Sequence, residues 1–419
     1  MNVFPRGLIP ALFLFVFFAG DHSHAGSLRW HLVSVTPAER ATENILHNLG
    51  FEHIDHKAAA FEVVATPAQL ELIRSAGLDA KVVIDNYGAY LAQRNAQAAR
   101  LAAAGDFAVG SMGGYFSPGE VLSFVDSLRS SLAEQLISDT TVIGLSIQQR
   151  PVWMVELGGR SSEDAPEVLF NSLMHSREGL SVMSLLYFMR FLAVIYTAVD
   201  SVHWLLDNRR LFFVPVVNPD GYEINWRQYA DENQFGLWRK NARDNDGDGA
   251  HDGPDDGVDL NRNFGYKWGF DNIGSKGGIN YWSWDDFRGD SAFSEPESRV
   301  LREFISGRNF RVAINCHTYG NSLLKPWSYV AAETPDSATF DRLGALLVAG
   351  SGYVHGNATS VLNYPANGEF TDWEYGDSAD GGIIAWTAEI GPSNSNQTIG
   401  FWPPVDQIEP IAQKALSIL

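Results

Sequence analysis

The chain has 419 residues, of which 45% are apolar and 12% aromatic, and its 30 basic and 50 acidic residues give a formal charge of -20. This length suffices for two or three folding units, and the composition excludes a disordered chain. The acidic excess excludes nucleic acid and anionic membranes as expected partners, because both are bound through clustered Lys and Arg. With only one cysteine, Cys316, the chain has no intrachain disulfide and depends on core burial or metal for stability.

The first 25 residues have the organisation of a secretory signal peptide. Arg6 precedes an apolar run from Leu8 to Ala19, and Ser23-His24-Ala25 supplies the small residues that a signal peptidase accepts. We predict cleavage after residue 25, with an uncleaved anchor as the alternative. The longest later apolar stretch is interrupted by Arg190. The sequence therefore predicts a secreted or periplasmic monomer that does not span a membrane.

Residues 26–106 form a small predicted unit of their own. Apolar residues alternate along its first segment, and two Thr-Pro pairs have the composition of helix starts. The predicted β-α-β-α-β order is a strand at 28–32, a helix from Thr36, a strand at 60–65, a helix from Thr66 and a strand at 80–84. An Ala- and Gln-rich stretch over 90–105 predicts a linker helix that a protease can sever. The alternative is an accessory domain that stays attached.

From residue 107 to 419, short apolar strands alternate with long helices. This pattern predicts an α/β fold whose mixed, mostly parallel sheet is covered by helices on both faces. In such sheets, ligands bind beyond the carboxyl ends of the strands. The predicted elements are a hairpin over 142–157, strands Val168–Leu173, Leu211–Val217, Phe310–Cys316 and Ile383–Ala388, and helices over 180–206, in two segments, and 294–305.

A candidate metal site follows the first and third of these strands. His175 and Glu178 are three residues apart, so we predict that they face the same side of a helical turn, where their nitrogen and oxygen atoms suit zinc. Alone this pair is a weak signal, since it is usually a surface turn. A catalytic zinc needs a third protein ligand, and His317 is the best candidate because it directly follows a core strand. We expect the competing histidines to be structural: His203, His251 and His355.

A second polar group has the composition of an anion site. Arg239 precedes an acidic loop that leads into Asn261 and Arg262, and an arginine fork of this kind suits a carboxylate, although surface arginines are usually solvated. Glu389 stands at the end of an apolar strand, where an uninvolved carboxylate would be costly. We therefore predict that Glu389 is a general base.

These residues resemble the ordered motifs of the zinc metallocarboxypeptidases of the carboxypeptidase A/B/T type. Eight motifs in the family's order over more than 200 residues make the match highly specific. They are His175-x-x-Glu178, Asn218-Pro219-Asp220-Gly221-Tyr222, Trp238-Arg239-Lys240, Asp259-x-Asn261-Arg262-Asn263, Ser294-Glu295-Pro296-Glu297, His317-x-Tyr319, Tyr364 upstream of Asp372-Trp373, and Glu389. The segment 28–105 more loosely resembles the family's activation segment, and the absence of disulfides fits its bacterial secreted branch.

The resemblance implies a secreted zymogen of an exopeptidase that hydrolyses the C-terminal peptide bond of peptides and proteins. It implies one Zn²⁺ ion per chain, held by His175, Glu178 and His317, with Asp259 fixing the imidazole of His175. It also implies that the pro-segment, residues 26–106, inhibits the catalytic domain, residues 107–419, until an activating protease removes it.

The resemblance further implies roles for the residues that meet the substrate. Asn261 and Arg262 would bind its terminal carboxylate, Arg239 would stabilise the oxyanion, and Glu389 would transfer the proton. The remaining implied contacts are closure of the site by Tyr364 and substrate binding by Arg177 and Thr371.

The terminal-residue preference depends, in the resembling family, on the position of Thr371. Thr371 is neutral, but Glu369, two residues earlier, could place an anion at the pocket. We therefore expect apolar C-terminal residues with some tolerance of Lys or Arg.

An acidic loop offers a second metal site. Asp244, Asp246, Asp248 and Asp255 have the spacing of a calcium-binding loop, except that the usual final Glu is Asp. The sequence thus predicts a structural Ca²⁺ ion, and the alternative is a solvated acidic loop.

Two other functions stay open. A zinc amidohydrolase acting on cell-wall or γ-glutamyl peptides would keep the metal and Glu389 but change how Asn261 and Arg262 meet the substrate. A binding module would normally have lost a metal ligand or the base, and this chain retains all of them.

Overall fold

Two β-sheets organise the part of the chain that the computed structural model describes. This part comprises residues 28–101, 107–132, 136–158, 164–251, 253–377, 382–393 and 400–419. The predicted signal peptide and the end of the predicted linker, residues 102–106, lie outside the described residues.

The N-terminal unit contains the smaller sheet. Its elements are β1 (His31–Thr36), α1 (Arg40–Asn48), β2 (Asp55–His56), β3 (Phe61–Ala65), α2 (Pro67–Ser75) and β4 (Asp79–Ile84). The strands pair antiparallel in the order β2-β3-β1-β4, and both helices pack apolar residues such as Leu46 and Ile73 against Val33 and Val35 of β1. The predicted strands and helices occur in the predicted order, but the first strand spans 31–36 rather than 28–32, the first helix begins at Arg40 rather than at Thr36, and the two-residue strand β2 is added.

Helix α3 (Tyr87–Leu101) links this unit to the rest of the chain. Its inner face is buried, and Asn95 Nδ2 donates hydrogen bonds to the carbonyls of Gly113 (3.3 Å) and Pro403 (3.2 Å). A Cβ atom on Gly88 would lie 2.5 Å from the carbonyl oxygen of Phe235, so only glycine fits at this approach. The part of this helix up to Asn95 is therefore packed against the core of the main unit, including the first residues of the predicted severable linker.

The larger sheet forms the centre of the main unit. Its eight strands have the order β11-β10-β12-β9-β7-β8-β6-β5. The strands are β5 (Thr141–Leu145), β6 (Pro151–Leu157), β7 (Glu167–Asn171), β8 (Arg210–Val214), β9 (Phe310–Thr318), β10 (Ser322–Lys325), β11 (Val354–Asn357) and β12 (Ile384–Ile390). The central strands β12-β9-β7-β8 are mutually parallel, β10 and β11 are parallel, and the other pairs are antiparallel.

Helices and two apolar clusters cover this sheet on both faces. The helices are α4 (Pro118–Leu132), α5 (Gly179–Ile195), α6 (Asp200–Asn208), α7 (Pro219–Glu232), α8 (Pro296–Ser306), α9 (Ser337–Leu347), α10 (Ala358–Val361), α11 (Phe370–Gly376) and α12 (Val405–Ala415). The predicted α/β class, with a mixed, mostly parallel sheet behind a small α+β unit, is confirmed. The predicted hairpin and the two-segment helix over 180–206 are also present.

Helix α5 is the most apolar helix of the core. In the described part of the chain no single helix is long and apolar enough to cross a bilayer, and α5 passes that test only jointly with α6, across a bend of 108°. Most α5 side chains are buried within the protein, which accounts for their hydrophobicity.

Candidate metal centre and substrate-binding site

Three neighbouring parallel strands bring the predicted site residues together. In the sheet register, Glu389 on β12 lies beside His317 on β9, and Asn315 lies beside Asn171 on β7. The chain leaves β7 through Leu173, whose positive φ of 51° turns it toward His175. Residues separated by more than 200 positions therefore meet at one edge of the sheet, as expected for the carboxyl ends of parallel strands.

His175, Glu178 and His317 converge on one point. The Glu178 carboxylate lies 2.7 Å from His175 Nδ1 and 3.0 Å from His317 Nδ1, and the two imidazole nitrogens are 3.1 Å apart. All three side chains are buried. The turn at 175–178 precedes α5 and is not helical, so the predicted helical turn is wrong, although the two side chains do face the same side. The backbone bond from Glu178 N to the His175 carbonyl (3.2 Å) holds this turn.

These three residues fit a zinc ion. Their ligand atoms lie within 4.8 Å of one another, and two imidazoles with one carboxylate are a donor set of catalytic zinc sites. His175 Nε2 lies 3.1 Å from Asp259 Oδ1, and a proton on Nε2 leaves the Nδ1 lone pair directed at the shared point. In that tautomer, the His175 lone pair and the Glu178 carboxylate face the shared point, which a cation would stabilise.

The charges at this point are strongly coupled. Burial acts to raise the pKa of Glu178, but the imidazoles of His175 and His317 outweigh it and hold that pKa well below its usual range. Burial conversely acts to lower the pKa of His317, and the facing Glu178 carboxylate raises it overall to about 8. The carboxylate is therefore ionised and available as a ligand.

Asp259 joins the metal centre to Arg239. One carboxylate oxygen meets His175, and the other accepts hydrogen bonds from Arg239 Nε (3.0 Å) and Nη2 (2.8 Å). Burial opposes ionisation of Asp259, but Arg239 and His175 together hold its pKa well below its usual range. One buried carboxylate thus orients both a metal-ligand imidazole and a guanidinium.

The carboxylate of Glu52 occupies the predicted anion site. Glu52 comes from the N-terminal unit, and its oxygens pair with Arg239 Nη2 (2.9 Å) and with Arg262 Nη2. Burial acts to raise the pKa of Glu52, but the two guanidiniums lower it to about 2. The Asn261 side-chain carbonyl accepts a bond from Phe370 N (3.0 Å), so its amide N–H groups are the part that could donate to a ligand.

Glu389 lies beside the metal cluster but outside it. Its side chain is largely buried, and Oε2 has no hydrogen-bond partner among the described residues. Burial raises the pKa of Glu389 to about 8, against the opposing effect of His317. A carboxylate with an uncommitted oxygen and a raised pKa is suited to accepting and releasing a proton.

Arg177 and Tyr364 flank the cleft. Arg177 donates to Asp285 Oδ2 (2.8 Å), and its guanidinium lies 4.5 Å from the centre of the Phe401 ring. The Tyr364 ring lies 5.3 Å from the ring of His47, a residue of the N-terminal unit. Tyr364 therefore lies at the boundary between the two units, and Arg177 lies against Phe401, a ring that His53 of the N-terminal unit also contacts.

Thr371 lies in a buried polar network. Its hydroxyl accepts from Asn315 Nδ2 (2.8 Å) and meets the Thr387 hydroxyl (2.6 Å), which donates to Glu369 Oε1 (3.0 Å). Glu369 also accepts a bond from Asp372 N (3.0 Å), as the N-cap of α11. The Thr387 hydroxyl therefore links Thr371 to the Glu369 carboxylate.

The acidic loop gathers a different set of carboxylates from the predicted one. Among the described residues, Asp244, Asp246 and Asp256 have oxygens within 4.8 Å of one another. Asp248 and Asp255 are exposed and do not belong to this group, because Asp256 instead turns inward and accepts two backbone N–H groups. The proposed ligands are corrected accordingly, and Ca²⁺ binding stays a prediction.

The sequence reasoning missed the residues that the N-terminal unit inserts into the cleft. Besides Glu52, the ring of His53 stacks on Tyr319 at 4.6 Å and meets the edge of Phe401 at 5.1 Å. These residues lie in a short irregular segment after α1, where a charged residue has no distinguishing pattern. Only the positions of Phe51 and Ile54, which anchor the segment in the N-terminal core, could have suggested that Glu52 points outward.

The α/β sheet, the His-Glu-His cluster and the neighbouring Glu389 carboxylate are the features of a metal-dependent hydrolase. Comparison with known proteins narrows this class. The family model described as zinc carboxypeptidase matches residues 125–417. Carboxypeptidase A4 of Mus musculus is 28% identical over 82% of this chain and 77% of its own length. A zinc carboxypeptidase of Saccharothrix mutabilis subsp. capreolus is 28% identical over 81% of this chain and 76% of its own length.

The fold is shared with solved structures. The crystal structure of carboxypeptidase A from Helicoverpa armigera superposes with a TM-score of 0.72 at 22% identity, covering 94% of this chain and 96% of that one. Because the family model matches residues 125–417, the chain belongs to the zinc carboxypeptidase family, and it is a metallocarboxypeptidase.

Loss of His317 should remove the metal. We expect His317→Ala to lower the zinc content of the purified protein from about one ion per chain to near zero, because catalytic zinc needs three protein ligands. His203→Ala is the matched control, since His203 is exposed and stacks on Tyr196 away from the cluster. Elemental analysis measures both variants, and full zinc occupancy of His317→Ala would contradict the assignment.

Proposed function

We propose that this chain is the zymogen of a zinc-dependent exopeptidase that removes the C-terminal residue of peptides and proteins. The observation that carries this proposal is the Glu52 carboxylate held between Arg239 and Arg262. A carboxylate in that position has the charge and the hydrogen-bonding geometry of a peptide's C-terminus.

Recognition of a free terminus follows from the burial of Arg262. Its guanidinium is almost inaccessible, and burial acts to lower its pKa, but the Glu52 carboxylate raises that pKa overall. Each charge-assisted bond to a terminal carboxylate would contribute about 1.5 to 3 kcal/mol. An internal peptide segment has no such anion and would leave the buried cation poorly paired.

The residues around the metal cluster have separable tasks. Arg239 stabilises the negative charge that develops on the scissile carbonyl oxygen, and Asp259 holds it in place. Glu389 takes a proton from the attacking water and delivers it to the leaving amine. Zinc, when held by His175, Glu178 and His317, supplies Lewis-acid activation of water and carbonyl. Asn261, Arg177 and Tyr364 orient the substrate in the cleft.

The N-terminal unit acts as the inhibitor. It fills the anion site with Glu52, places His53 against Tyr319 and covers Tyr364 with His47. A substrate carboxylate cannot reach Arg262 while this contact persists. An activating protease that cuts between the units would release it, and export through the predicted signal peptide would place the enzyme outside the cell or in the periplasm.

Replacement of Glu389 should greatly slow the reaction without lowering the zinc content. We expect Glu389→Gln to lower kcat about 10² to 10⁴-fold, because the amide cannot accept the proton. The measurement is mass spectrometry of a mixed peptide library incubated with the proteolytically activated enzyme, where wild type removes single C-terminal residues. Glu167→Gln is the control, since Glu167 is a buried carboxylate at the far end of β7. A Glu389→Gln enzyme that trims the library at the wild-type rate would contradict this role.

Replacement of Glu52 should weaken inhibition in the intact chain. We expect Glu52→Gln to raise turnover of a small chromogenic C-terminal dipeptide by the full-length protein about 10 to 100-fold, because two buried guanidiniums lose their anion, a loss that costs several kcal/mol in other proteins. Glu71→Gln serves as the control, since Glu71 is exposed on α2 and pairs with Arg74. If full-length Glu52→Gln turns over the dipeptide no faster than wild type, the N-terminal unit inhibits by covering the cleft and not through the Glu52 ion pairs.

We propose that the specificity pocket accepts Lys and Arg besides apolar residues. Glu369 is the acidic residue of this pocket, and it accepts a hydrogen bond from the Thr387 hydroxyl, which also meets the Thr371 hydroxyl. A basic side chain that reached this carboxylate could form a charge-assisted hydrogen bond with it.

Neutralising Glu369 should shift the preference. We expect Glu369→Gln to lower the ratio of Lys-terminal to Leu-terminal kcat/KM about tenfold, because one charge-assisted contact is lost. Paired substrates that differ only in the last residue measure this ratio, with Glu167→Gln as the control. An unchanged ratio would remove Glu369 from the pocket.

A further inference from the structure

A buried carboxylate beneath the cleft connects the two substrate-binding arginines. Glu295 is fully buried at the start of α8, and it has no assigned task in the reaction. Its carboxylate accepts bonds from Asn241 Nδ2 (2.8 Å), from Arg243 Nε (2.8 and 3.0 Å) and from the Ser294 hydroxyl (2.7 Å). A site that receives this many donors needs an anion, because a neutral amide cannot accept all of them.

Glu295 is linked to Arg239 through Asn241. Asn241, two residues after Arg239, donates to Glu295, and its side-chain carbonyl accepts a bond from Val258 N (2.8 Å). The backbone N–H of Asn241 also donates to the Val258 carbonyl (3.0 Å). Asn241 therefore fixes the segment of Arg239 against the segment of Asp259, whose carboxylate holds the Arg239 guanidinium.

Glu295 is linked to Arg262 through Asn263 and Ser294. Asn263, the residue after Arg262, accepts a bond from the Glu295 backbone N–H (3.1 Å) and donates to the Ser294 hydroxyl (2.8 Å), which in turn donates to the Glu295 carboxylate. Asn263 is fully buried and also donates to the carbonyls of Arg288 (2.9 Å) and Ser291 (3.0 Å). The segment of Arg262 is thus fixed to the same carboxylate.

We propose that Glu295 is a positioning residue that sets the separation of Arg239 and Arg262. The proposal rests on the function proposed above, in which one guanidinium acts on the carbonyl of the scissile bond, which belongs to the penultimate residue, and the other acts on the carboxylate of the terminal residue. The same three bonds separate the carbonyl carbon from the carboxylate carbon in every substrate, so the two cations must keep a separation within the range that these bonds allow. A shared buried anion achieves this by joining both segments without touching the substrate.

The kinetic test distinguishes the link from Glu295 to Arg239 from the link to Arg262. We expect Glu295→Gln, which preserves volume, to lower kcat/KM of the activated enzyme about 10 to 100-fold, because misplacement by about 1 Å can cost about 10²-fold. Asn241→Ala should mainly lower kcat through Arg239, and Asn263→Ala should mainly raise KM through Arg262. Zinc content should stay at wild-type level in all three. Glu167→Gln, a buried carboxylate paired with Arg210 and Arg308, is the control for general destabilisation.

A second measurement tests whether Glu295 holds the two segments without relying on enzymatic activity. In the full-length chain, we expect backbone hydrogen exchange over 239–243 and 257–263 to accelerate in Glu295→Gln but not in Glu167→Gln. Unchanged exchange, or kinetic constants within twofold of wild type, would overturn the positioning role. If exchange accelerates in Glu295→Gln while Arg239→Ala and Arg262→Ala have wild-type kinetics, the proposed function is contradicted. Glu295 would then remain a structural link between the two segments.

Discussion

The site depends on one constraint, namely that the buried charges around the candidate metal cluster are paired with opposite charges. Asp259 meets this requirement for Arg239 and also contacts the imidazole of His175, and Glu178 meets it for His317. Removing one partner of such a buried pair costs about 3 to 5 kcal/mol, because the remaining charge is left uncompensated. The candidate metal ligands and Arg239 are therefore parts of one electrostatic network, which Asp259 joins.

The same constraint accounts for the way the N-terminal unit meets the cleft. Arg262 and Arg239 are both buried in the intact chain and directed at one region, so an anion must be present there while the N-terminal unit covers them. Under the proposed function, that anion is Glu52 before activation and the substrate's terminus during turnover. Inhibition and substrate recognition would then use the same two guanidiniums.

Much of this arrangement was predictable from the sequence, because strand ends leave clear signals. Glu389 and His317 each follow a continuous apolar run, and parallel pairing must place such residues at one edge. Glu52 left no comparable signal, since its position depends on how two separately folded units dock. The choice of Asp256 over Asp255 also escaped prediction, because adjacent residues of an irregular loop differ only in which side chain turns inward.

The docking of the N-terminal unit has a further consequence for activation. Helix α3 is packed into the main core through Asn95 and the close approach at Gly88, whereas Glu52 reaches the cleft from the segment after α1. Cutting the chain beyond α3 removes the covalent link but neither of these contacts. Under the proposed function, release of the inhibitor then requires these non-covalent contacts to break, by dissociation, by competition with a substrate carboxylate or by further proteolysis of the N-terminal unit. The lag between cleavage and full activity would therefore depend on the strength of the Glu52 ion pairs.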